Sequence, residues 1–144
     1  MAHINDVIDF QEKLGQWKRG NIRHLTQRKL QERMELLQEE LDEFGLATRV
    51  QDMAEQADAL VDLVYVALGT ANMLGLPWEE LWADVHRANM AKQRGVGKRG
   101  HKVDVIKPAG WEGPKTMGIL LAHGYDPESM FDEEHYRDDP EHIS

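Results

Sequence analysis

Apolar residues recur along this chain at alternating spacings of three and four, the period of an amphipathic helix, and almost nowhere at a strand's period of two. A short first helix is predicted over about Asn5 to Leu14, with Ile4, Val7, Ile8 and Leu14 on one face, and Gly15, Gly20 and Asn21 mark the loop after it. Thr26 is placed as N-cap of a second helix whose stripe is Leu30, Met34, Leu37, Leu41 and Phe44, with Gly45 as its C-cap. The third helix, about Gln51 to Leu74, is apolar nearly all round, which requires cover from neighbouring helices or from a second subunit. The Gly75-Leu76-Pro77 break opens a fourth helix, because proline suits a first helical turn. Trp78, Trp82, Val85, Asn89 and Lys92 fall along one line of it. Arg94 to Lys107 reads as a glycine-rich basic loop, and Met117 to Ala122 as a small last helix. The expected architecture is all-α: an antiparallel four-helix-bundle-like domain over residues 1–124, oligomeric, with a mobile acidic tail over 125–144.

Composition narrows the chemistry. The chain has no cysteine, which excludes disulfides, thiolate zinc sites and thiol catalysis. Met1 to Asp9 carries no apolar signal segment, and the longest apolar run, Ala59 to Leu68, is interrupted by Asp62. A cytoplasmic protein with no membrane partner is expected. The formal net charge of −9 disfavours a nucleic-acid partner, since phosphate-backbone binding needs a broad basic surface. A single phosphorylated ligand remains compatible only if divalent metal bridges it to protein carboxylates.

Two acidic clusters supply such carboxylates. Glu39, Glu40, Asp42 and Glu43 lie on the second helix, where residues three and four apart are neighbours. Glu55, Asp58 and Asp62 form one stripe on the third. An acidic patch on a helix is most simply a solvated face, and the first cluster alone fits that reading. Asp62 does not, because it stands between Val61 and Leu63, and no Lys or Arg occurs from Val50 to Trp82. A carboxylate in apolar surroundings is costly unless a distant basic residue or a metal holds it. Two facing acidic stripes of hard oxygen ligands suit Mg²⁺, or Mn²⁺ in its place, rather than zinc or copper. Downstream, Lys92, Arg94, Lys98, Arg99, Lys102 and Lys107 stand out in an acidic protein and can reach around phosphate oxygens. By themselves they would be a solvated loop.

The residues now resemble a known family, the MazG-like all-α NTP pyrophosphohydrolases, related to dimeric dUTPases, dCTP pyrophosphatases and phosphoribosyl-ATP pyrophosphohydrolase. That family carries an E-E-x-x-E stretch on one helix and an E-x-x-D stretch on the next. Glu39-Glu40-Leu41-Asp42-Glu43 matches the first, and the stretch from Asp58 to Val66 resembles the second. His86 to Lys92 and Lys107 to Trp111 are similar to the N-x-x-K and K-P-x-x-W arrangements of MazG-like members. One departure stands: the glutamate expected three residues before Asp62 is Ala59, and either Asp58 or Glu55 takes its place.

The resemblance implies hydrolysis of a (deoxy)nucleoside triphosphate to the monophosphate and pyrophosphate. It implies that Glu40, Glu43, Asp58 and Asp62 hold Mg²⁺, with Glu39 as a further ligand or the base for the attacking water. Glu40 would share in the catalysis. It further implies that Lys92, Lys107 and Arg94 hold phosphates, that Asn89 hydrogen-bonds the sugar or base, and that Trp111 walls the nucleotide. A loop aromatic anchored on the core is the plainer reading of Trp111, and core or subunit interface is that of Trp78 and Trp82. The rival from another class is a non-catalytic helical interaction protein with a solvated acidic face. A di-iron carboxylate bundle lacks its Glu-x-x-His pairs here.

Overall fold

The computed structural model describes residues 3–15, 20–95 and 104–129. It contains α1 (His3–Lys13), α2 (Gln27–Arg49), α3 (Met53–Met73), α4 (Trp78–Met90), the short strands β1 (Gln93–Gly95) and β2 (Asp104–Ile106), and α5 (Thr116–Ala122). The fold is all-α, as the periodicity predicts. The chain divides into two compact units, Met1–Leu76 with Gly124–Ser144, and Pro77–His123. Residues 130–144, most of the acidic tail, lie outside the described residues.

In the first unit Thr26 caps α2 as expected: its Oγ1 accepts the Lys29 N–H at 3.2 Å. The predicted stop at Gly45 is wrong, because α2 runs on to Arg49. A glycine inside a helix costs only about 1 kcal/mol, and Ala47 beyond it is buried in the core. The actual stop is at Gln51, which takes a left-handed φ of 57°. There the Asp52 N–H reaches Ala47 O at 2.9 Å and the Gln51 N–H reaches Thr48 O at 3.2 Å, a Schellman closure. Asp52 at once caps α3 by accepting the Glu55 N–H at 3.1 Å. So tight a link makes α2 and α3 an antiparallel hairpin.

The line of α2 that meets α3 is not the predicted stripe. Lys29 and Ala47 are buried, and Arg33, Glu40 and Phe44 half-buried, whereas Leu30, Met34 and Leu41 of the stripe are exposed. The α2–α3 contact therefore carries polar side chains on its inner line and leaves apolar ones outside. The core is correspondingly thin and made of small side chains: Ile4 and Val7 of α1, Ala47 of α2, and Ala59, Leu68 and Ala71 of α3. Leu25 and Met73 form a second small cluster where the loop before α2 crosses the end of α3.

Polar groups tie the three helices together around Gly69. Gln11 of α1 donates to Gly69 O at 3.3 Å and accepts from Asn72 Nδ2 at 2.7 Å. Both residues are buried, so these bonds satisfy groups that would otherwise be costly.

In the second unit the Asp84 carboxylate accepts the Lys115 N–H at 2.6 Å and the Arg87 Nε–H at 3.0 Å. The Lys115 backbone N–H, then Arg87, hold its pKa below the ordinary carboxylate value. The ends of the predicted basic loop are in fact paired: β1 and β2 are antiparallel, with Arg94 opposite Val105. Three-residue strands leave no periodic signature to read. Lys98, Arg99 and Lys102 fall outside the described residues.

Candidate metal and phosphate site

The antiparallel hairpin brings together acids that are far apart in sequence. Glu40 and Glu43 of α2 face Asp58 and Asp62 of α3. Burial pushes the Glu40 pKa up first, followed by hydrogen bonding with Glu43 (possible once one of the two is protonated) and the charges of Glu43, Asp62 and Asp58. Asp62 is raised in the same way, by burial and then by Asp58 and Glu43. Among the described residues the charged groups that act on Asp62 are Asp58 and Glu43, both acidic.

Glu40 Oε2 is buried and has no hydrogen-bond partner. A buried carboxylate oxygen without a donor is among the costlier polar defects. Its neighbours are three more carboxylates, all acceptors. Such a set is satisfied by a proton, by the O–H of a water or by a cation, and a hard divalent cation matches all-oxygen ligands. The residues present therefore fit a Mg²⁺ or Mn²⁺ ion in chemistry. As they stand, no three of the described acidic or imidazole side chains close into a ready cage.

The open alternative at the Ala59 position narrows here. Asp58 is the acid that faces Glu40 and Asp62, whereas Glu55 sits in the first turn of α3, its N–H held by Asp52. Ala59 itself is buried at 2% exposure, in the α3 core line. Glu39 is exposed and is not among the groups acting on Glu40 or Asp62.

Beside the carboxylates in the first unit lies a cavity of about 210 Å³, lined by Phe10, Gln11, Arg33, Leu36 and Tyr65 among others. Phe10 and Tyr65 meet edge to face with centroids 5.6 Å apart. Leu36 precedes Glu40 by four residues and Tyr65 follows Asp62 by three, so the cavity continues the face that bears the acids. No pattern along the chain hints at it, because Gln11 and Arg33 are ordinary polar residues until the fold turns them inward.

The second unit gathers the other predicted residues. Lys92 Nζ lies 5.4 Å and Lys107 Nζ 5.0 Å from the Trp111 ring centroid, within cation–π range. Trp111 is half-buried and its Nε1–H donates to Ala88 O at 2.8 Å, which pins the turn after β2 to the end of α4. The anchoring role of Trp111 is thus real, and the same ring seats two ammonium groups. Asn89 is exposed in the last turn of α4, and Arg94 is exposed on β1.

An all-helical chain with opposed acidic helices and a lysine-bearing turn defines a recognisable class. The profile of the phosphoribosyl-ATP pyrophosphohydrolase family matches residues 7–89, and the chain belongs to that family, within the MazG-like all-α pyrophosphohydrolase superfamily. The matched span begins in α1 and ends in α4, so it includes both acidic helices. No individually curated protein matches the chain. Membership makes it a hydrolase of the pyrophosphohydrolase kind. Among the described residues no single helix is long and apolar enough to cross a membrane.

Proposed function

We propose that the protein is a Mg²⁺-dependent nucleoside triphosphate pyrophosphohydrolase, converting a (deoxy)nucleoside triphosphate to the monophosphate and pyrophosphate. The observation that carries this reading is the buried, donorless Oε2 of Glu40, which stands beside Glu43 on α2 and opposite Asp58 and Asp62 of α3. Glu40 and Asp62 are both raised by burial and by the carboxylates around them, a divalent cation would stabilise them as anions, and triphosphates arrive with one.

Glu40, Glu43, Asp58 and Asp62 would hold the metal, which would neutralise phosphate charge and lower the pKa of an attacking water. Glu39, the exposed sequence neighbour of Glu40, would be a further ligand or would accept that water's proton. Lys92 and Lys107, held on Trp111, would neutralise phosphate oxygens, with Arg94 as a third cation. Asn89 would hydrogen-bond the sugar or base. The cavity beside Phe10 and Tyr65 has room for one planar ring system and would take the nucleoside end. The chain would work as a homo-oligomer in the cytoplasm.

A panel assay for pyrophosphate release tests the proposal, with all common NTPs and dNTPs, each with Mg²⁺, with Mn²⁺ and with EDTA. The expected result is metal-dependent release from one or a few nucleotides, abolished by EDTA. No release from any nucleotide by folded protein would leave the acids as a solvated face and favour a non-catalytic interaction protein.

A further inference from the structure

We infer that Arg33 is a positioning residue for the carboxylate cluster: it fixes the axial register of α2 on α3, and so sets Glu40 and Glu43 opposite Asp58 and Asp62. The inference rests on the metal-dependent reading above.

Arg33 precedes Glu40 by seven residues, two helical turns on the same line of α2 and about 10.5 Å along its axis. Its guanidinium crosses to α3 and makes two bonds there. Nε donates to Thr70 Oγ1 at 3.0 Å and Nη2 donates to Val66 O at 2.9 Å. Val66 is the residue one turn beyond Asp62. The Thr70 hydroxyl, in turn, donates to the same Val66 carbonyl at 2.9 Å, so both acceptors of the fork are fixed to one turn of α3.

The crossing runs close over position 69, where a side chain would make the ends of both Arg33 and Gln11 shift. A Cβ on Gly69 would stand 2.9 Å from Arg33 Nη2 and 2.8 Å from Gln11 Nε2. Arg33 and Gln11 thus pass over the same bare backbone, one from α2 and one from α1. A planar fork with two fixed acceptors defines both the height and the rotation of one helix on the other, which a single flexible ammonium does not. Small apolar contacts such as those of Ala47 and Ala59 leave that register weakly specified. The four carboxylates add a force of the wrong sign, since like charges press α2 and α3 apart where they meet. Arg33 binds the helices together close by.

Arg33→Met, Arg33→Lys and Thr70→Val, each in the full chain, are to be titrated with Mn²⁺ in the absence of nucleotide. Bound Mn²⁺ is read from loss of the free-ion EPR signal, beside helical circular dichroism and Tm. Leaving out nucleotide removes any contribution of Arg33 to the adjoining cavity. The expected result is Mn²⁺ affinity weakened about tenfold or more in Arg33→Met, in the range of outer-shell effects on metal sites. Arg33→Lys should fall between it and wild type, and Thr70→Val should show a smaller loss in the same direction. Wild-type Mn²⁺ affinity in Arg33→Met, with only Tm lowered, would overturn the inference. Should that variant not fold, wild-type affinity in both Arg33→Lys and Thr70→Val would overturn it equally. A wild-type chain that binds no Mn²⁺ would instead defeat the metal reading itself, and that is seen before any variant is made.

Discussion

Asp62 and Glu40 are the residues at which cost and use meet. Each has its pKa raised in the folded chain by burial and by neighbouring carboxylates. A carboxyl raised on folding holds its proton more tightly in the native state than in the unfolded one, so it favours the fold fully at acid pH. That contribution is lost as pH rises through the raised values, above the ordinary 3.8 of Asp and 4.5 of Glu. Metal-free protein is therefore expected to lose stability at these two sites as pH climbs from about 4 towards neutrality. Added Mg²⁺ should restore it at pH 7 and do little near pH 4, where protons occupy the same oxygens; thermal melts over pH with Mg²⁺ or EDTA check this. Asp62→Asn follows the same logic. It should melt at or above the wild-type temperature in EDTA, since it removes a destabilised charge. Its kcat should fall about a thousandfold, a loss of roughly 4 kcal/mol of transition-state stabilisation. Full activity in that variant would take Asp62 out of the site. The sequence exposed Asp62 because a lone acid in an apolar run is a conflict visible without coordinates. It could not expose Arg33 or Gln11, whose meaning depends on which way a helix is turned.

Helix starts were legible where the residue type itself marks them. Thr26 capped α2 as predicted, and Pro77 immediately precedes α4. The end of α2 was not legible, because the packing of Ala47, a tertiary effect, carries the helix past the glycine at position 45. Nor was the β1–β2 pairing, since it is a contact between residues far apart relative to the strands' length. The misread stop leaves its own prediction. Gln51 carries the left-handed conformation that glycine adopts without steric cost. Gln51→Gly should stabilise the α2–α3 hairpin by about 0.5–1 kcal/mol, net of glycine's greater freedom when unfolded. A lower Tm would mean that Gln51 makes a contact worth more than its strain. Gly75 is the converse case. It has a φ of 71°, and a Cβ there would overlap the Asn21 carbonyl, against which the end of α3 is held by the Arg23 N–H to Leu74 O bond of 3.0 Å. Gly75→Ala should cost about 1–3 kcal/mol by chemical denaturation, the scale of local backbone strain.

At the scale of the whole molecule the unresolved balance is apolar surface. The third helix reads as apolar on every side, yet in the chain Leu60 is 46%, Val61 64% and Val64 52% exposed. These three, with His3, Asp6 and Val7, line a groove of about 530 Å³ between α1 and α3. Met34 and Leu41 of α2 are likewise exposed. A unit of this size buries only about 60% of its unfolded surface, so it has little stability to spare for apolar side chains left in water. Apolar patches of this extent on small domains mark protein–protein contact. A second copy of the chain is the partner proposed, since it would meet a like apolar surface and cover the part of α3 next to Asp58 and Asp62. The carboxylate hairpin would then be supported from outside as well as by Arg33. Sedimentation of the wild type should give a mass above the 16.5 kDa of one chain, with Tm rising with protein concentration. Val64→Glu separates the alternatives. In a monomer an exposed valine is replaced at a cost within about 0.5 kcal/mol, and both mass and Tm should stay put. In an oligomer joined through α3 the charge is buried, so the mass should fall to that of one chain and the concentration dependence should vanish. A wild-type protein that sediments as a single chain at every concentration would leave the apolar face of α3 to some other partner.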